Sequence, residues 1–331
     1  MQTRLLGKDF KVSALGLGCM GFSHAYGAPL EERETIQRLR LAVEIGYTFF
    51  DTAEVYGTPQ DPHANERLVG EALAPYRGKI AISTKFGLRF DFESGKTPLP
   101  LIPDSSPNTI RTSVEESLKR LQTDHIDLYF QHRIDPNVSP EEVAGVMADL
   151  IREGKITHWG ISEVGAEYLR RANAVCPVTA VQNRYSMMAR HYEPLFPVLE
   201  ELGIGLVAFS PMANGFLTGK YGKGTQFDPK YDYRAAMPQF TDAAADQNHD
   251  LLELLRSMAA EKDATPVQIS LAWMLCKKPW IVPIPGTRSP ERMEENAGAA
   301  DVMLSPQEVS KIDDALDHMN LSAVFGGTPC K

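Results

Sequence analysis

Strand-like and helix-like segments alternate along this chain with a loose period of about 30 residues, and no other feature restricts its fold so tightly. Eight short β-branched or aromatic runs read as strands: Val12–Gly18, Tyr47–Thr52, Ile80–Lys85, Ile126–His132, Thr157–Ser162, Thr179–Asn183, Gly205–Ser210 and Ile281–Pro285. Amphipathic stretches lie between them. Glu31–Ile45 places Ile36, Leu39 and Val43 on one face, and Asn108–Leu121 repeats Ile110, Val114, Leu118 and Leu121 at helical spacing. Pro140–Glu153 and Pro194–Leu202 follow the same pattern, each with an early proline that a first helical turn tolerates. Strands each followed by a helix point to a single parallel (β/α)8 barrel, a TIM barrel over residues 1–331; periodicity alone leaves an open doubly wound sheet as the alternative. A length of 331 residues suits one such barrel and does not force a second domain.

Two segments break the rhythm, Phe86–Ser106 and Pro211–Ala245. Both follow strands, so a barrel would carry them on its C-terminal face, where active sites lie. Loops of that length are usually lids or binding loops, with tolerated insertion as the plainer alternative. Composition narrows the function. A hydrophobic content of 43% supplies a large core, and a net charge of −9 with no dense basic cluster makes nucleic acid an unsuitable partner. Cys19, Cys176, Cys276 and Cys330 are scattered without a C-x-x-C pair, which suits a reducing compartment. Met1–Phe10 lacks the apolar stretch of a secretory signal, and no run approaches the ~20 apolar residues that span a bilayer. The expectation is a cytoplasmic enzyme with no membrane partner. No H-E-x-x-H, G-x-x-x-x-G-K-[ST] or G-x-S-x-G is present to carry zinc, nucleotide triphosphate or serine-hydrolase chemistry.

The strand ends hold the chemistry. The second strand ends in Asp51 with Tyr56 in the turn beyond it, the third ends in Lys85, and the fourth ends in His132. In a barrel these strands are neighbours, so a carboxylate, a phenol, an ammonium and an imidazole converge on one rim. That set suits carbonyl reduction. A phenol of pKa about 10 is a weak proton donor to a forming alkoxide until a cation lowers it, and Lys85 can supply that cation while Asp51 keeps it protonated. His132 could hydrogen-bond the substrate oxygen or relay a proton. Taken singly, each residue also fits a structural role: an ion pair, a packing tyrosine, a core-edge histidine. Their placement on consecutive strands favours the joint reading.

The stretch Gly46-Tyr47-Thr48-Phe49-Phe50-Asp51-Thr52-Ala53-Glu54-Val55-Tyr56-Gly57, followed by Asn65-Glu66-Arg67-Leu68-Val69-Gly70, closely resembles the aldo-keto reductase signature. The resemblance continues through Ser83-Thr84-Lys85, Asp127–His132, Gly160-Ile161-Ser162-Glu163, Val181–Ser186 and Ile284-Pro285-Gly286-Thr287-Arg288, in the family's order. It implies Asp51, Tyr56, Lys85 and His132 as a catalytic tetrad, Tyr56 being the general acid, and a small-molecule carbonyl substrate. Several members carry Asn where Glu163 stands, which puts a carboxamide-holding role for Glu163 in doubt. The potassium channel β subunits share this family's fold, so a cofactor-binding regulatory subunit is one alternative. A barrel lyase using Lys85 as a Schiff base is another, which a facing Asp51 opposes.

The cofactor expected is NADP(H). Gly286 to Arg292 follows the last strand and opens a helix, with Ser289 as N-cap and Pro290 at N1. Arg288 and Arg292 are electrostatically misplaced at a helix N-terminus unless an anion binds there, so they read as a clamp on the adenosine 2′-phosphate. The plainer reading is solvated arginines paired with Glu291, Glu294 or Glu295. By resemblance, Glu295 and Asn296 would meet the adenine, Ser162 and Gln182 the nicotinamide carboxamide, and Phe209 its ring. Ser210, Met212 and Gly215 would line the pyrophosphate, and Gly18, Cys19, Met20, Pro211, Gly286 and Thr287 complete the expected set. Gly16-Leu17-Gly18-Cys19-Met20-Gly21 satisfies G-x-G-x-x-G, but Gly27 and Pro29 keep a helix from opening at its third glycine, so a Rossmann turn is not expected.

Overall fold

The computed structural model describes residues 1–97 and 99–325; Cys330 lies outside them. An antiparallel hairpin, β1 (Thr3–Leu6) and β2 (Phe10–Ser13), comes first. The barrel then starts with β3 (Leu17–Gly18), α1 (Glu32–Ile45), β4 (Phe49–Asp51), α2 (Ala64–Leu73) and β5 (Ala81–Phe86). A second hairpin, β6 (Leu88–Phe90) with β7 (Leu101–Pro103), precedes α3 (Pro107–Leu121). Next come β8 (Ile126–Gln131), α4 (Pro140–Arg152), β9 (Ile156–Ser162), α5 (Ala166–Val175), β10 (Ala180–Arg184), α6 (Phe196–Leu202) and β11 (Gly205–Phe209). After β11 the chain adds α7 (Asp242–Gln247), α8 (His249–Glu261) and α9 (Pro266–Lys277) before β12 (Ile281–Pro283). It continues with α10 (Pro290–Gly298) and α11 (Pro306–His318).

The eight strands β3, β4, β5, β8, β9, β10, β11 and β12 form one parallel sheet in chain order. A doubly wound sheet would need that order to reverse part-way, and it does not. The Gly16 N–H donates to Pro283 O at 2.9 Å, joining the first strand to the last, so the fold is a (β/α)8 barrel.

Phe49, Ala81, Leu128, Phe130, Ala180, Val207 and Val282 fill the interior, and Leu6 and Phe10 of the first hairpin pack onto the same cluster from the N-terminal end. Gly205 answers to that plug: a Cβ there would lie 2.4 Å from Leu6 Cδ2. Outside the sheet, α3 buries Ile110, Val114, Leu118 and Leu121, the stripe that its spacing predicts. Fully burying such a side chain contributes roughly 1.5–3 kcal/mol. Capping boxes at Ser139 with Glu142, Thr265 with Gln268 and Ser305 with Glu308 start α4, α9 and α11, each with proline in the first turn.

Two expectations need correction. Val12–Gly18 is not one strand: β2 belongs to the end plug and only Leu17–Gly18 enters the barrel, because Ala14 turns back to donate to Gln2 O. Phe86–Ser106 is not irregular, since β6 and β7 pair across it. No helix among the described residues is long and apolar enough to cross a membrane.

Candidate active site

Parallel strands in register bring the titratable residues to one rim. Asp51 ends β4, Lys85 sits one residue from the end of β5, and His132 follows β8 directly. Lys85 has no exposed surface, and its Nζ donates to Asp51 Oδ2 at 2.6 Å, to Thr52 O at 2.7 Å and to the Tyr56 phenol oxygen at 3.2 Å. The other Asp51 oxygen accepts from Ser83 Oγ at 2.8 Å and Gln182 Nε2 at 2.7 Å. The Tyr56 and His132 rings meet edge to face, with centroids 5.7 Å apart.

Tyr56 sits on the turn between β4 and α2, and other loops hold that turn. Ser23 Oγ donates to Tyr56 O at 2.9 Å and the Asn65 N–H donates to the same oxygen at 3.1 Å. The Asn65 amide donates to Cys19 O at 2.9 Å and Ser23 Oγ at 2.8 Å, and its carbonyl accepts from Thr52 Oγ1 at 2.6 Å. Gly57 lets the turn close, because a Cβ there would lie 2.0 Å from Asp61 O.

Burial sets the protonation states. It works against the Lys85 ammonium, but Asp51 and Tyr56 together more than offset it, and the Lys85 pKa is raised. For Tyr56 burial is the largest influence and pushes the phenol up, while Lys85 pulls it only part of the way back. The net shift is opposite to the one expected from the Lys85 charge alone. Burial, then Arg133 and Lys85, hold His132 well below the ordinary histidine value, so its imidazole is neutral at pH 7. A neutral ring fits hydrogen bonding to a substrate oxygen better than a proton relay.

Several of the expected cofactor residues lie at strand ends around the same rim. Ser162 ends β9 and its Oγ accepts from Arg133 Nη1 at 3.3 Å; Phe209 ends β11 with the Arg184 guanidinium 4.8 Å from its ring centre. Beyond Phe209 the backbone is left-handed at Ser210, Ala213, Asn214 and Gly215, with Pro211 and buried Met212 between them. Non-glycine residues held in that region cluster at functional sites, and the N–H groups of such turns can cradle anions. Gly18 lies against the other side of the mouth, where a Cβ would sit 2.9 Å from Ile284 O and 3.5 Å from Gly286 N. Cys19 and Met20 follow it into a short 3-10 turn, and the next helix opens only at Glu32, as the reading against a Rossmann turn requires.

Ser289 caps α10, accepting from Arg292 N at 3.4 Å, with Pro290 in the first turn; Thr287 Oγ1 accepts from Ser289 N at 3.2 Å. Arg288 donates to Ala28 O at 2.6 Å and Tyr26 O at 2.8 Å rather than to a glutamate. Among the described residues, neither Arg288 nor Arg292 has a carboxylate within 4.0 Å, so the ion pairing of the plainer reading is not formed. Asn296 is buried on α10, and Glu295 O accepts from Gln268 Nε2 at 3.2 Å.

Residues 14–317 match the profile of the aldo/keto reductase family. The chain belongs to that family. It is 40% identical over 311 residues to "Probable aldo-keto reductase 1" of Glycine max, covering 93% of this chain and 87% of the other. Among solved structures it resembles a glycerol dehydrogenase of Gluconobacter oxydans, with a TM-score of 0.85 and 26% identity over 99% of this chain and 97% of that one. It also resembles the holo form of an aldo-keto reductase of Bacillus halodurans, with a TM-score of 0.75 and 28% identity over 95% and 96% of the two chains. The general chemistry of this aldo/keto reductase is therefore oxidoreduction between carbonyl and alcohol groups.

Several residues of the reductase's mouth escape the sequence reading. Asn65 and Ser23 hold Tyr56, and Glu54 Oε1 accepts the Gly87 N–H at 3.0 Å, tying the Tyr56 turn to the loop after β5. Asn65 stands within the stretch that carries the family resemblance, which was its one available signal. Arg184 likewise stands within a stretch that carries the resemblance, Val181–Ser186, whereas Arg133 carried no signal beyond following His132.

Proposed function

We propose that this aldo/keto reductase reduces aldehydes or ketones to alcohols with NADPH, in the cytoplasm, with Tyr56 as general acid. One observation carries the reading: Lys85 Nζ, fully buried, lies 2.6 Å from Asp51 and 3.2 Å from the Tyr56 phenol oxygen. Because Lys85 donates to that oxygen, the phenol's own O–H is left to donate to a substrate carbonyl. As the carbonyl oxygen gains charge the phenol proton moves to it, and the ammonium 3.2 Å away stabilises the phenolate left behind. Neutral His132, edge-on to Tyr56, orients the same carbonyl oxygen through a hydrogen bond. A protonated Lys85 is unfit as a Schiff-base nucleophile, which weighs against the lyase alternative.

The residues present fit NADP(H). Ser162 and Gln182 stand on the nicotinamide side, the left-handed residues Ser210, Ala213, Asn214 and Gly215 suit a turn around a pyrophosphate, and two arginines flank a helix N-terminus with no carboxylate within 4.0 Å among the described residues. When bound, NADPH supplies the hydride. Arg288 and Arg292 would hold its 2′-phosphate, and Asn296 and Glu295 its adenine.

Tyr56→Phe tests the reading. It keeps the ring and removes the proton donor, so turnover of a generic aldehyde such as 4-nitrobenzaldehyde, followed at 340 nm, should fall on the order of 10²–10⁴-fold while NADPH still binds. Near-normal turnover would remove Tyr56 from the role.

A further inference from the structure

Two guanidiniums stand over the tetrad with no carboxylate within 4.0 Å among the described residues, and the proposed reduction does not use them. Arg184 is the last residue of β10, two positions after Gln182. Side chains two apart on a strand share a face, and Gln182 points into the barrel mouth, where its Nε2 reaches Asp51 at 2.7 Å. Arg184 therefore stands one layer above the Asp51–Lys85–Tyr56 group. It is 7% exposed, and its Nε is buried without a hydrogen-bond partner among the described residues. Phe209 packs 4.8 Å from its guanidinium carbon and Phe325 5.9 Å. Glu163 is the nearby acid, and its Oε1 accepts the Arg184 backbone N–H at 3.1 Å. Arg133 adds the second cation. It follows His132, donates to Ser162 Oγ at 3.3 Å and to His132 O at 2.6 Å, and lies close enough to pull on the protonation of Tyr56, His132 and Arg184.

We infer that Arg184, assisted by Arg133, binds a carboxylate on the substrate, so that this enzyme takes carbonyl compounds carrying an acid group on the side away from the reacting carbon. A buried guanidinium with an orphaned Nε costs stability unless a partner meets it, and Nε with an adjoining terminal nitrogen forms the fork that matches two carboxylate oxygens. The apolar walls of Phe209 and Phe325 strengthen that contact by excluding water. The inference rests on the reductase reading for the chemistry, but the binding it describes needs no turnover.

The test compares equilibrium binding of 4-(hydroxymethyl)benzoate and its methyl ester to the NADP⁺-loaded protein by calorimetry. It is paired with turnover of 4-formylbenzoate and methyl 4-formylbenzoate. The acid should bind at least about 10-fold tighter than the ester, and Arg184→Met should cut that preference by on the order of 10- to 150-fold, the factor that a lost charge-assisted hydrogen bond carries. Arg184→Lys should restore part of it. Equal binding of acid and ester by the unaltered protein overturns the inference without recourse to any variant. So does a preference that survives Arg184→Met, or a variant that loses NADP⁺ and both compounds alike, which would assign the guanidinium to the cofactor. An intact acid preference with no turnover of either aldehyde would support the carboxylate site and defeat the reductase reading instead.

Discussion

Replacing Asp51 by Asn asks whether the carboxylate serves the chemistry alone or also makes burial of Lys85 tolerable. The two charges are 2.6 Å apart, and Lys85 has no exposed surface. At an effective dielectric of about 20 their attraction is about 6 kcal/mol, set against a desolvation penalty of several kcal/mol for each ion. The net value of the pair is therefore small, but removing one partner leaves the other stranded. Asp51→Asn should cost about 3–5 kcal/mol, since Thr52 O and the Tyr56 oxygen remain to accept from Lys85 but neither carries a compensating charge. The deficit should shrink as pH rises. A stranded ammonium has its folded pKa pushed below the unfolded value, so the unfolded chain binds the extra proton in that window and stability recovers with pH. Asp51→Asn/Lys85→Met should then regain most of the loss at pH 7, because no buried charge remains. Urea unfolding followed by the fluorescence of Trp159 and Trp273, at pH 7 and pH 9.5, reads all three quantities. If Asp51→Asn is within about 1 kcal/mol of the unaltered protein, or the double variant is no more stable than the single one, the stranded-charge argument fails. Turnover is lost in every arm and does not discriminate.

Two further expectations follow from the same geometry. Arg288→Ala and Arg292→Ala should each weaken NADPH by about 10- to 150-fold and leave NADH nearly unchanged, read by quenching of intrinsic fluorescence; equal losses for both cofactors would return the arginines to the protein surface. Arg288→Ala should be the more severe, because it also releases the loop at Tyr26 and Ala28. Glu54 is pushed up to about 7, chiefly by burial and then by Glu66, so its charge is unfavourable in the folded state above the unfolded value of 4.5. Its stabilising neutral form is complete below pH 4.5 and lost as pH rises through 7, so Glu54→Gln should gain up to about 3 kcal/mol at pH 8 and nothing at pH 4. A thermal-unfolding gain that is equal at both pH values would contradict this.

How much of this was legible depends on which interaction each feature rests on. The α3 stripe and the strand-end positions of Asp51, Lys85 and His132 were readable, because periodicity and strand order are local properties that the barrel then multiplies. The two hairpins were not. β1, β2, β6 and β7 are three or four residues each, too short to alternate recognisably, and the first pair is fixed by the barrel floor that it covers.

Electrostatics shows the same division more sharply. That Lys85 would face Tyr56 could be reasoned from strand order, but the sign of the phenol's net shift could not, because it turns on burial, which outweighs the lysine and is a property of the closed mouth. Arg184 sits between these cases. From the sequence it is one more arginine at the end of a strand, a place where charges usually meet water. The two-residue repeat of a strand ties its direction to that of Gln182, yet the repeat does not say which phase points inward. The 2.7 Å contact from Gln182 to Asp51 settles the phase, and with it a guanidinium that would ordinarily be counted as surface becomes part of the wall of the active site.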